Sequence, residues 1–325
     1  MHVLIVNNTR IPALKYGGTE RVIWWLGKEL AKRGHRVSYL VGERSECDFA
    51  EVFIYKSGLP IQQQIPANVD IIHMHFPTGE VFEHPTITTL HGNIPMGVEM
   101  PLNCVFVSKN HALRHGSDVF VHNGLDFIDY GEPDLDNKKT YFHFLANAAW
   151  RVKNVRGAID IANKSRERLV VLGGSRINFK MGFRITPYLN IEFKGLIGGE
   201  EKHQLLRHSK GLIFPVLWNE PFGLAIIESL YFGCPIFGTP YGSLPELVPK
   251  NVGFLSDSKS AIVNQIKGNS FLPTTCHEYA VTSFSSKLMT DRYLELYQKV
   301  INGEFLNEVA PALKDPSPKF LPFYT

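Results

Sequence analysis

One stretch, residues 211–233, constrains the fold more than any other part of the chain. Its sequence is GLIFPVLWNEPFGLAIIESLYFG, with an apolar run, a short loop and a second apolar run. The first run does not alternate with polar residues, which predicts a parallel strand covered on both faces, Leu212 to Leu217. Pro221 suits the first turn of a helix and Gly233 suits its end, so we expect a helix from Phe222 to Phe232. The stretch therefore predicts one strand–loop–helix step of an α/β sheet.

The predicted helix begins at the carboxyl end of a parallel strand, where open α/β sheets bind ligands. Free amides and the helix dipole at such a terminus favour an anion such as phosphate. Glu220 and Glu228 are eight residues apart, which corresponds to roughly 12 Å along a helix. A carboxylate can accept two hydrogen bonds from neighbouring hydroxyls, so one glutamate suits a sugar and the other a ribose. A capping Glu220 and an incidental Glu228 are the equally open alternative.

The segment EPFGLAIIESLYFGCPIFGTPYGSLPELV, which begins at Glu220, carries a family pattern. It closely resembles the signature of family 4 glycosyltransferases, which are retaining enzymes with the GT-B fold. That signature has E-P-F-G-L, a second glutamate eight positions after the first, a G-x-P turn and a further glutamate. Glu228, Gly233, Pro235 and Glu246 stand at the later positions of this pattern.

The resemblance implies an α/β protein with the GT-B fold: two facing Rossmann-like, doubly wound domains and a C-terminal helix that crosses back to the first. It implies that a sugar passes from a UDP-, GDP-, ADP- or TDP-linked donor to a hydroxyl acceptor with retention at the anomeric carbon. The acceptor stays open between a polysaccharide, a glycolipid and a small-molecule aglycone. Enzymes of this fold generally work without a bound metal, so we expect no metal and no cofactor besides the nucleotide sugar.

The resemblance also assigns roles to residues of the second half of the chain. Glu220 is expected to position the donor sugar, while Glu228 holds the ribose. Further donor contacts are expected from Phe222, Gly223 and Leu224. A phosphate oxygen of the leaving group is the expected acceptor of the hydroxyl proton.

The phosphate-binding segment departs from the family pattern G-R-x-x-x-x-K-G. In HFLANAAWRVKN, Lys153 stands where the family lysine holds the diphosphate, but Ala148 replaces the arginine and Asn147 the first glycine. Arg151 is a candidate to supply the missing charge from a nearby position.

Two motifs of the first half complete the expected site. The strand TTLHGN ends in His91, which in the resembled family contacts the donor sugar; together with Glu220 and Lys153 it forms the expected catalytic set. Gly17 and Gly18 in GGTER resemble the family's glycine loop near the donor diphosphate, with Thr19 as the expected cap of a helix from Glu20 to Arg33.

His73 and His75 share a strand face and could bind a metal, but polar packing is the favoured interpretation.

Length and alternation define the domains. A chain of 325 residues predicts about two domains, and strands that alternate with helices predict doubly wound parallel sheets. We expect an acceptor-side domain at 1–135, a nucleotide-sugar domain at 136–285, and a C-terminal helix and tail at 286–325 that pack back on the first domain. The most polar connection, residues 129–139, is the predicted linker.

Composition excludes several classes. Cys47, Cys104, Cys234 and Cys276 are dispersed, which disfavours a disulfide framework or a zinc site. A net charge of +3 gives no reason to expect nucleic acid. No secretory leader or membrane span is evident, so a cytoplasmic location is expected. Peripheral membrane contact through the Trp24 and Trp25 helix is the less favoured interpretation, because buried tryptophans and a solvated basic face explain it equally well.

Two other functions remain open. One is a non-catalytic subunit that binds nucleotide sugar, which Ala148 favours. The other is a GT-B nucleotide-sugar epimerase, which would need acid and base carboxylates beyond those already assigned. Because the glycine loop lacks the G-x-G-x-x-G pattern, a dehydrogenase is disfavoured.

Overall fold

The protein has two compact units, each built around a parallel sheet. The computed structural model describes residues 1–13, 17–314 and 316–325. Variable loops such as 10–16 are expected from the sequence to shape acceptor binding, and residues 14–16 of that loop lie outside the described residues. Unit 1 contains Met1–Asp126 and Phe284–Pro316, and unit 2 contains Phe127–Ser283 and Ser317–Thr325. Each unit carries a six-stranded sheet. The predicted pair of doubly wound α/β domains is therefore confirmed.

Unit 1 has its sheet in the order β3-β2-β1-β4-β5-β6, with all neighbours parallel. The first strand is wholly buried, as expected for a parallel strand with helices on both faces. The elements are β1 (His2–Val6), α1 (Gly18–Lys32), β2 (Arg36–Val41), β3 (Glu51–Ile54), β4 (Ile71–Met74), β5 (Thr86–Leu90), β6 (Cys104–Phe106) and α2 (Lys109–Arg114). Beyond β6, one isolated parallel bridge joins Phe120 to Phe106.

Unit 2 repeats the winding with the order β11-β8-β7-β12-β13-β14. A separate two-stranded antiparallel hairpin pairs β9 with β10. The elements are β7 (Tyr141–Leu145), α3 (Val155–Ser165), β8 (Leu169–Leu172), β9 (Ile177–Asn178), β10 (Arg184–Ile185), β11 (Ile191–Phe193), α4 (Gly199–Arg207), β12 (Ser209–Phe214), α5 (Leu224–Tyr231), β13 (Ile236–Gly238), α6 (Leu244–Leu247), β14 (Gly253–Leu255), α7 (Lys259–Lys267) and α8 (Pro273–Ser283). The predicted strand Leu212–Leu217 thus begins and ends earlier, as β12.

After α8 the chain returns to unit 1 as α9 (Ser286–Ile301). Two buried tyrosines of this helix fix it: the Tyr297 hydroxyl lies 2.6 Å from His73 Nδ1, and the Tyr293 hydroxyl lies 2.9 Å from Thr89 Oγ1. His73 Nε2 lies 2.7 Å from the same threonine oxygen. Both ring nitrogens of His73 therefore serve packing between α9 and the sheet of unit 1.

The boundaries of the units differ from the predicted ones. The first boundary lies at Asp126/Phe127 instead of 135/136, because Tyr130 is buried in unit 2 and its ring stacks on His203 at 4.8 Å. The tail also divides. Residues 284–314 pack in unit 1, whereas 317–325 pack in unit 2, where Leu321 donates its amide to the Leu217 carbonyl at 2.7 Å.

The basic face of α1 is engaged inside unit 1. Trp25 is buried, and Trp24 packs edge-on against Phe49. Lys28 pairs with Asp126 at 2.8 Å. Across the described ranges, we find no helix long and apolar enough to cross a membrane.

Candidate active site

The loop that precedes α5 sets the position of Glu220. Gly223 is the N-cap residue and adopts φ +92°, a left-handed conformation that glycine tolerates and other residues rarely adopt. The helix therefore begins at Leu224, and Pro221 and Phe222 precede it, contrary to the predicted start at Phe222. Because Glu220 lies outside the helix, the rise along a helix does not give its separation from Glu228.

A second turn holds the backbone of Glu220. The Ser243 amide donates to the Glu220 carbonyl at 2.9 Å, and the Ser243 hydroxyl donates to the Phe222 carbonyl at 2.6 Å. Gly242 makes this approach possible, since a Cβ at that position would lie 2.2 Å from the Glu220 nitrogen. The small-residue turn after β13 thus fixes the glutamate.

The Glu220 side chain is paired with Lys153. The lysine Nζ lies 2.8 Å from Oε1 and 2.6 Å from Oε2, and both residues are buried. The Trp218 indole donates to Oε2 at 2.8 Å. Two donors with defined directions therefore fix the carboxylate at the carboxyl end of the sheet of unit 2.

Two aromatic rings and a tight turn also surround Lys153. Its ammonium lies 5.4 Å from the Phe214 ring centre and 5.1 Å from that of Trp218, distances that suit cation–π attraction. The next residue, Asn154, adopts φ +57° where the family pattern has a glycine. Asparagine tolerates this conformation, and its side chain caps α3 by accepting from the Gly157 amide at 3.0 Å.

Glu228 belongs to a second buried ion pair. Its Oε1 accepts from the Tyr130 hydroxyl at 2.7 Å and from the Lys202 ammonium. Lys202, on α4, is only 5% exposed and Glu228 only 2%. We did not predict Lys202 or Tyr130 as site residues. The available signal was the spacing of Lys202 and Leu206, because residues four apart share one face of a helix and a leucine usually lies on the buried face.

The altered phosphate segment opens onto a cavity within unit 2. Ala148 and Arg151 both line this cavity, together with Arg156, Met181 and Phe320. The Arg151 guanidinium stacks 4.9 Å from the Phe320 ring centre. Arg151 thus contributes a cation to the cavity that the side chain at 148 also lines.

The candidate residues of the other unit form a separate group. His91 Nε2 lies 2.9 Å from His75 Nδ1, and desolvation lowers the pKa of His91 to about 4. The ring is therefore neutral at neutral pH. The His73 and His75 rings have centres 4.0 Å apart and are tilted by 33°. Within residues 1–13, 17–314 and 316–325, no three His, Cys, Asp or Glu residues are grouped so as to hold a metal ion.

The glycine loop leads directly into α1. Gly17 is the N-cap residue and Gly18 begins the helix, so the predicted cap at Thr19 is wrong. The Gly17 carbonyl accepts from the Arg21 guanidinium at 2.9 Å. A Cβ at Gly17 would lie 2.7 Å from Glu20 Oε2, so this position has little room for a side chain.

Comparison with known proteins finds a family match that lies within unit 2. Residues 130–268, less than half of the chain, match the model "Glycosyl transferases group 1". The O-antigen chain mannosyltransferase C of Escherichia coli is 24% identical over an alignment that covers 94% of this chain and 100% of that protein.

Two solved structures resemble the whole fold. AviGT4, a glycosyltransferase involved in avilamycin A biosynthesis, superposes with a TM-score of 0.74 at 21% identity, covering 93% of this chain and 98% of its own. Anabaena HepE, solved in complex with UDP-glucose, has a TM-score of 0.65 at 14% identity, with coverage of 92% and 100%. The chain has the fold of GT-B glycosyltransferases, as predicted from the sequence.

Proposed function

We propose that this protein is a retaining glycosyltransferase of family 4 that moves a sugar from a nucleoside-diphosphate sugar to a hydroxyl acceptor. The observation that carries the proposal is the buried Lys153–Glu220 pair at the carboxyl end of the unit 2 sheet. A carboxylate there suits sugar hydroxyls, and an ammonium beside it suits phosphate. The match of residues 130–268 to a glycosyltransferase family supports the same chemistry.

Charge stabilisation is the first requirement of the reaction, because negative charge develops on the departing diphosphate. In our proposal Lys153 exchanges one Glu220 oxygen for a phosphate oxygen when the donor binds. The family pattern has an arginine at position 148, where this chain has alanine. Arg151 supplies the second cation instead, since Ala148 and Arg151 line one cavity. The amides of Gly223 and Leu224, beside Phe222, add neutral donors at the start of α5. With these cations present, we propose that turnover needs no metal ion or cofactor.

Sugar and ribose recognition are assigned to the two glutamates. Glu220, freed in part from Lys153, accepts hydrogen bonds from the donor sugar, and Glu228 accepts from the ribose. Lys202 and Tyr130 hold Glu228 in place on one oxygen. The hydroxyl of the acceptor loses its proton to a phosphate oxygen of the leaving group, so neither glutamate acts as a nucleophile.

Unit 1 contributes His91, Gly17 and Gly18 to the proposal. With a pKa of about 4, His91 is neutral under ordinary conditions and offers a hydrogen bond instead of a charge. The two glycines carry no side chain at the start of α1, and in our proposal their backbone approaches the diphosphate or the acceptor.

A non-catalytic nucleotide-sugar-binding protein is the second candidate. The observation that favours it is Ala148, which is buried and faces Gly174: a Cβ on that glycine would lie 2.6 Å from the Ala148 Cβ. No cation can come from position 148 itself. The two candidates differ in turnover and agree in nucleotide binding.

A two-step experiment tests the proposal. Thermal shifts against UDP, GDP, ADP, TDP and their sugar conjugates identify the donor, because a ligand at a hundredfold excess over its Kd adds about 2.7 kcal/mol to stability. Turnover with that donor is then measured over an acceptor panel, with and without EDTA, and NMR reads the anomeric configuration of the product. Glu228→Gln serves as the binding-site variant and Glu167→Gln, in an ion pair elsewhere in unit 2, as its control.

Each outcome has a distinct meaning. A retained anomeric configuration, unaffected by EDTA, supports the proposal. Inversion contradicts the retaining mechanism. Nucleotide binding without turnover across the panel favours the non-catalytic candidate, and the absence of any nucleotide effect removes both.

A further inference from the structure

The β9–β10 hairpin presents an apolar face to solvent. In the segment 177–185, INFKMGFRI, every odd position is apolar. Ile177 and Ile185 lie opposite each other in the β9–β10 pair, and the Phe179 and Phe183 rings of the connecting turn have centres 5.5 Å apart. The exposed fractions of the five apolar residues are Ile177 50%, Phe179 79%, Met181 62%, Phe183 56% and Ile185 56%. We call this set the hairpin face.

Buried polar contacts hold the hairpin in this orientation. On the inner side, Arg184 is 6% exposed and donates to Thr186 Oγ1 at 2.7 Å and to the Ser175 carbonyl at 2.9 Å. Its guanidinium stacks 4.9 Å from the Phe193 ring centre. Arg176 donates to the Thr186 and Tyr188 carbonyls at 2.7 and 2.9 Å. Since the inner side is fixed by these contacts, the apolar residues are held outward.

The charge around the hairpin face is positive. Residues 173–191 contain Arg176, Lys180 and Arg184 and no carboxylate. Arg156 donates to the Phe183 carbonyl, and Arg151 lines the same cavity as Met181 and Phe183. In the part of the chain that the structure describes, none of these five cations forms an ion pair with a carboxylate. Arg156, Arg176 and Lys180 are exposed and are not assigned to the donor, so their charge is available to an anionic surface.

We propose that the hairpin face is a membrane-docking site that inserts into the interfacial region of a bilayer containing anionic lipids. Exposed aromatic and aliphatic side chains surrounded by arginine and lysine match the two requirements of such a surface, apolar burial and attraction to anionic headgroups. Trp150, 40% exposed, lines the adjoining cavity with Met181 and Phe183. Tryptophan favours the depth of lipid headgroups, where its indole is amphipathic.

An anionic lipid surface explains the exposed apolar side chains and the surrounding cations better than a second copy of the chain does. Self-association through this surface would bring equivalent cations together across a symmetric interface, and like charges without partners oppose contact. A bilayer with anionic headgroups instead compensates the exposed cations Arg156, Arg176 and Lys180 while it accepts the apolar side chains. The proposal does not depend on the reaction that the protein performs.

Vesicle sedimentation with the full chain tests the proposal. The probes are phosphatidylcholine vesicles and vesicles in which about a third of the lipid is phosphatidylglycerol. We expect binding to the anionic vesicles and little binding to the neutral ones, with a loss of binding as salt rises. Equal and weak sedimentation with both vesicle types would overturn the proposal.

Paired variants separate the two contributions. Phe179→Ser/Phe183→Ser removes apolar contact, and Lys180→Gln/Arg156→Gln removes charge. Each double variant is expected to lower the partition coefficient by about tenfold or more. The controls Phe305→Ser, at a phenylalanine 70% exposed in unit 1, and Lys250→Gln/Lys267→Gln, at exposed lysines, are expected to stay within about twofold of the wild type.

The hairpin variants and their controls can also contradict the proposal. Hairpin variants that bind like the wild type, or controls that lose binding equally, would contradict it. Sedimentation equilibrium addresses the alternative occupant: a dimer that Phe179→Ser/Phe183→Ser abolishes, without vesicle binding by the wild type, would replace the membrane by a second copy. Circular dichroism verifies that each variant is folded.

Discussion

Lys153 Nζ lies within 2.8 Å of both carboxylate oxygens of Glu220, and the two residues are 9% and 5% exposed. The residues proposed to hold the phosphate and the sugar are therefore partners of each other before any donor binds. Each buried charge is compensated by the other. Donor binding must then exchange contacts within an existing pair instead of filling an empty site.

Variants of the Lys153–Glu220 pair are predicted to differ in stability although all of them lose activity. Glu220→Ala leaves the buried ammonium of Lys153 without its carboxylate, so we expect a loss of about 3 kcal/mol in the free energy of unfolding. The double variant Lys153→Met/Glu220→Leu removes both charges and should recover most of that loss. Urea denaturation measures the stabilities, and all of these variants should lack transferase activity.

This result would be contradicted in either of two ways. A loss below about 0.5 kcal/mol in Glu220→Ala would mean that water or another group replaces the carboxylate. Substantial turnover in the double variant would remove both residues from the proposed site.

The second pair, Lys202 and Glu228, is predicted to link stability to nucleotide affinity. Lys202→Met leaves a carboxylate that is 2% exposed without its cation, and we expect a loss of about 3 kcal/mol in the free energy of unfolding. Because Glu228 then loses one of the groups that orient it, the Kd for the donor nucleotide should rise by about tenfold.

Lys210→Met is the matched control for this variant. Lys210 pairs with Glu167 at 2.7 Å, but the two side chains are 33% and 24% exposed, so its loss should cost less than about 1 kcal/mol. Calorimetric titration should find its nucleotide affinity unchanged. Equal losses of affinity in Lys202→Met and Lys210→Met would indicate a general effect of lysine removal.

The sheets were predictable from the sequence because buried parallel strands are short apolar runs, as β1 and β8 demonstrate. The positions of Glu220 and Glu228 were predictable from the family pattern. The sequence did not predict that Lys153 and Lys202 pair with these two glutamates. Lys153 and Glu220 are 67 residues apart, so only the folded sheet brings them together. Lys202 lies in a polar helix, where lysine usually indicates the solvent face.

The start of α5 and the hairpin were missed for two different reasons. Pro221 is acceptable in the first turn of a helix, and nothing local reveals that Gly223 adopts φ +92° instead. For the hairpin the signal was present in the alternation from Ile177 to Ile185. Alternation predicts a half-buried strand, however, and here the apolar side is the exposed one.

Gly242 is predicted to be essential for the position of Glu220. It adopts φ +64°, and a Cβ there would lie 2.2 Å from the Glu220 backbone nitrogen. We expect Gly242→Ala to cost about 3 kcal/mol or more in unfolding free energy, since both the conformation and the contact are unfavourable. Gly58→Ala is the control, because a Cβ at that position would have no atom within 4 Å and its φ does not lie in the left-handed region. Chemical denaturation measures both variants. Equal stabilities of Gly242→Ala and Gly58→Ala would contradict the proposed role of Gly242 in positioning Glu220.

The buried histidine His143 is predicted to make the free energy of unfolding depend on pH. Its ring is buried in unit 2, with Nδ1 2.6 Å from Ser209 Oγ and Nε2 2.8 Å from Ser229 Oγ, and burial lowers its pKa to about 3. An unfolded histidine has a pKa of about 6.5. Above pH 7 both states are neutral, and the residue contributes no pH dependence. Below that range only the unfolded state binds the proton, so the free energy of unfolding falls as pH falls towards the folded pKa.

The expected slope is about 1.4 kcal/mol per pH unit for this one histidine, between roughly pH 6 and pH 4. His91, with a pKa of about 4, acts in the same direction from unit 1. His143→Gln cannot take up a proton and still offers a polar group to the serines. Urea denaturation over a pH series should therefore give a shallower slope for His143→Gln below pH 6 and parallel curves above pH 7. A wild-type slope in this variant would show that other groups cause the loss of stability in acid.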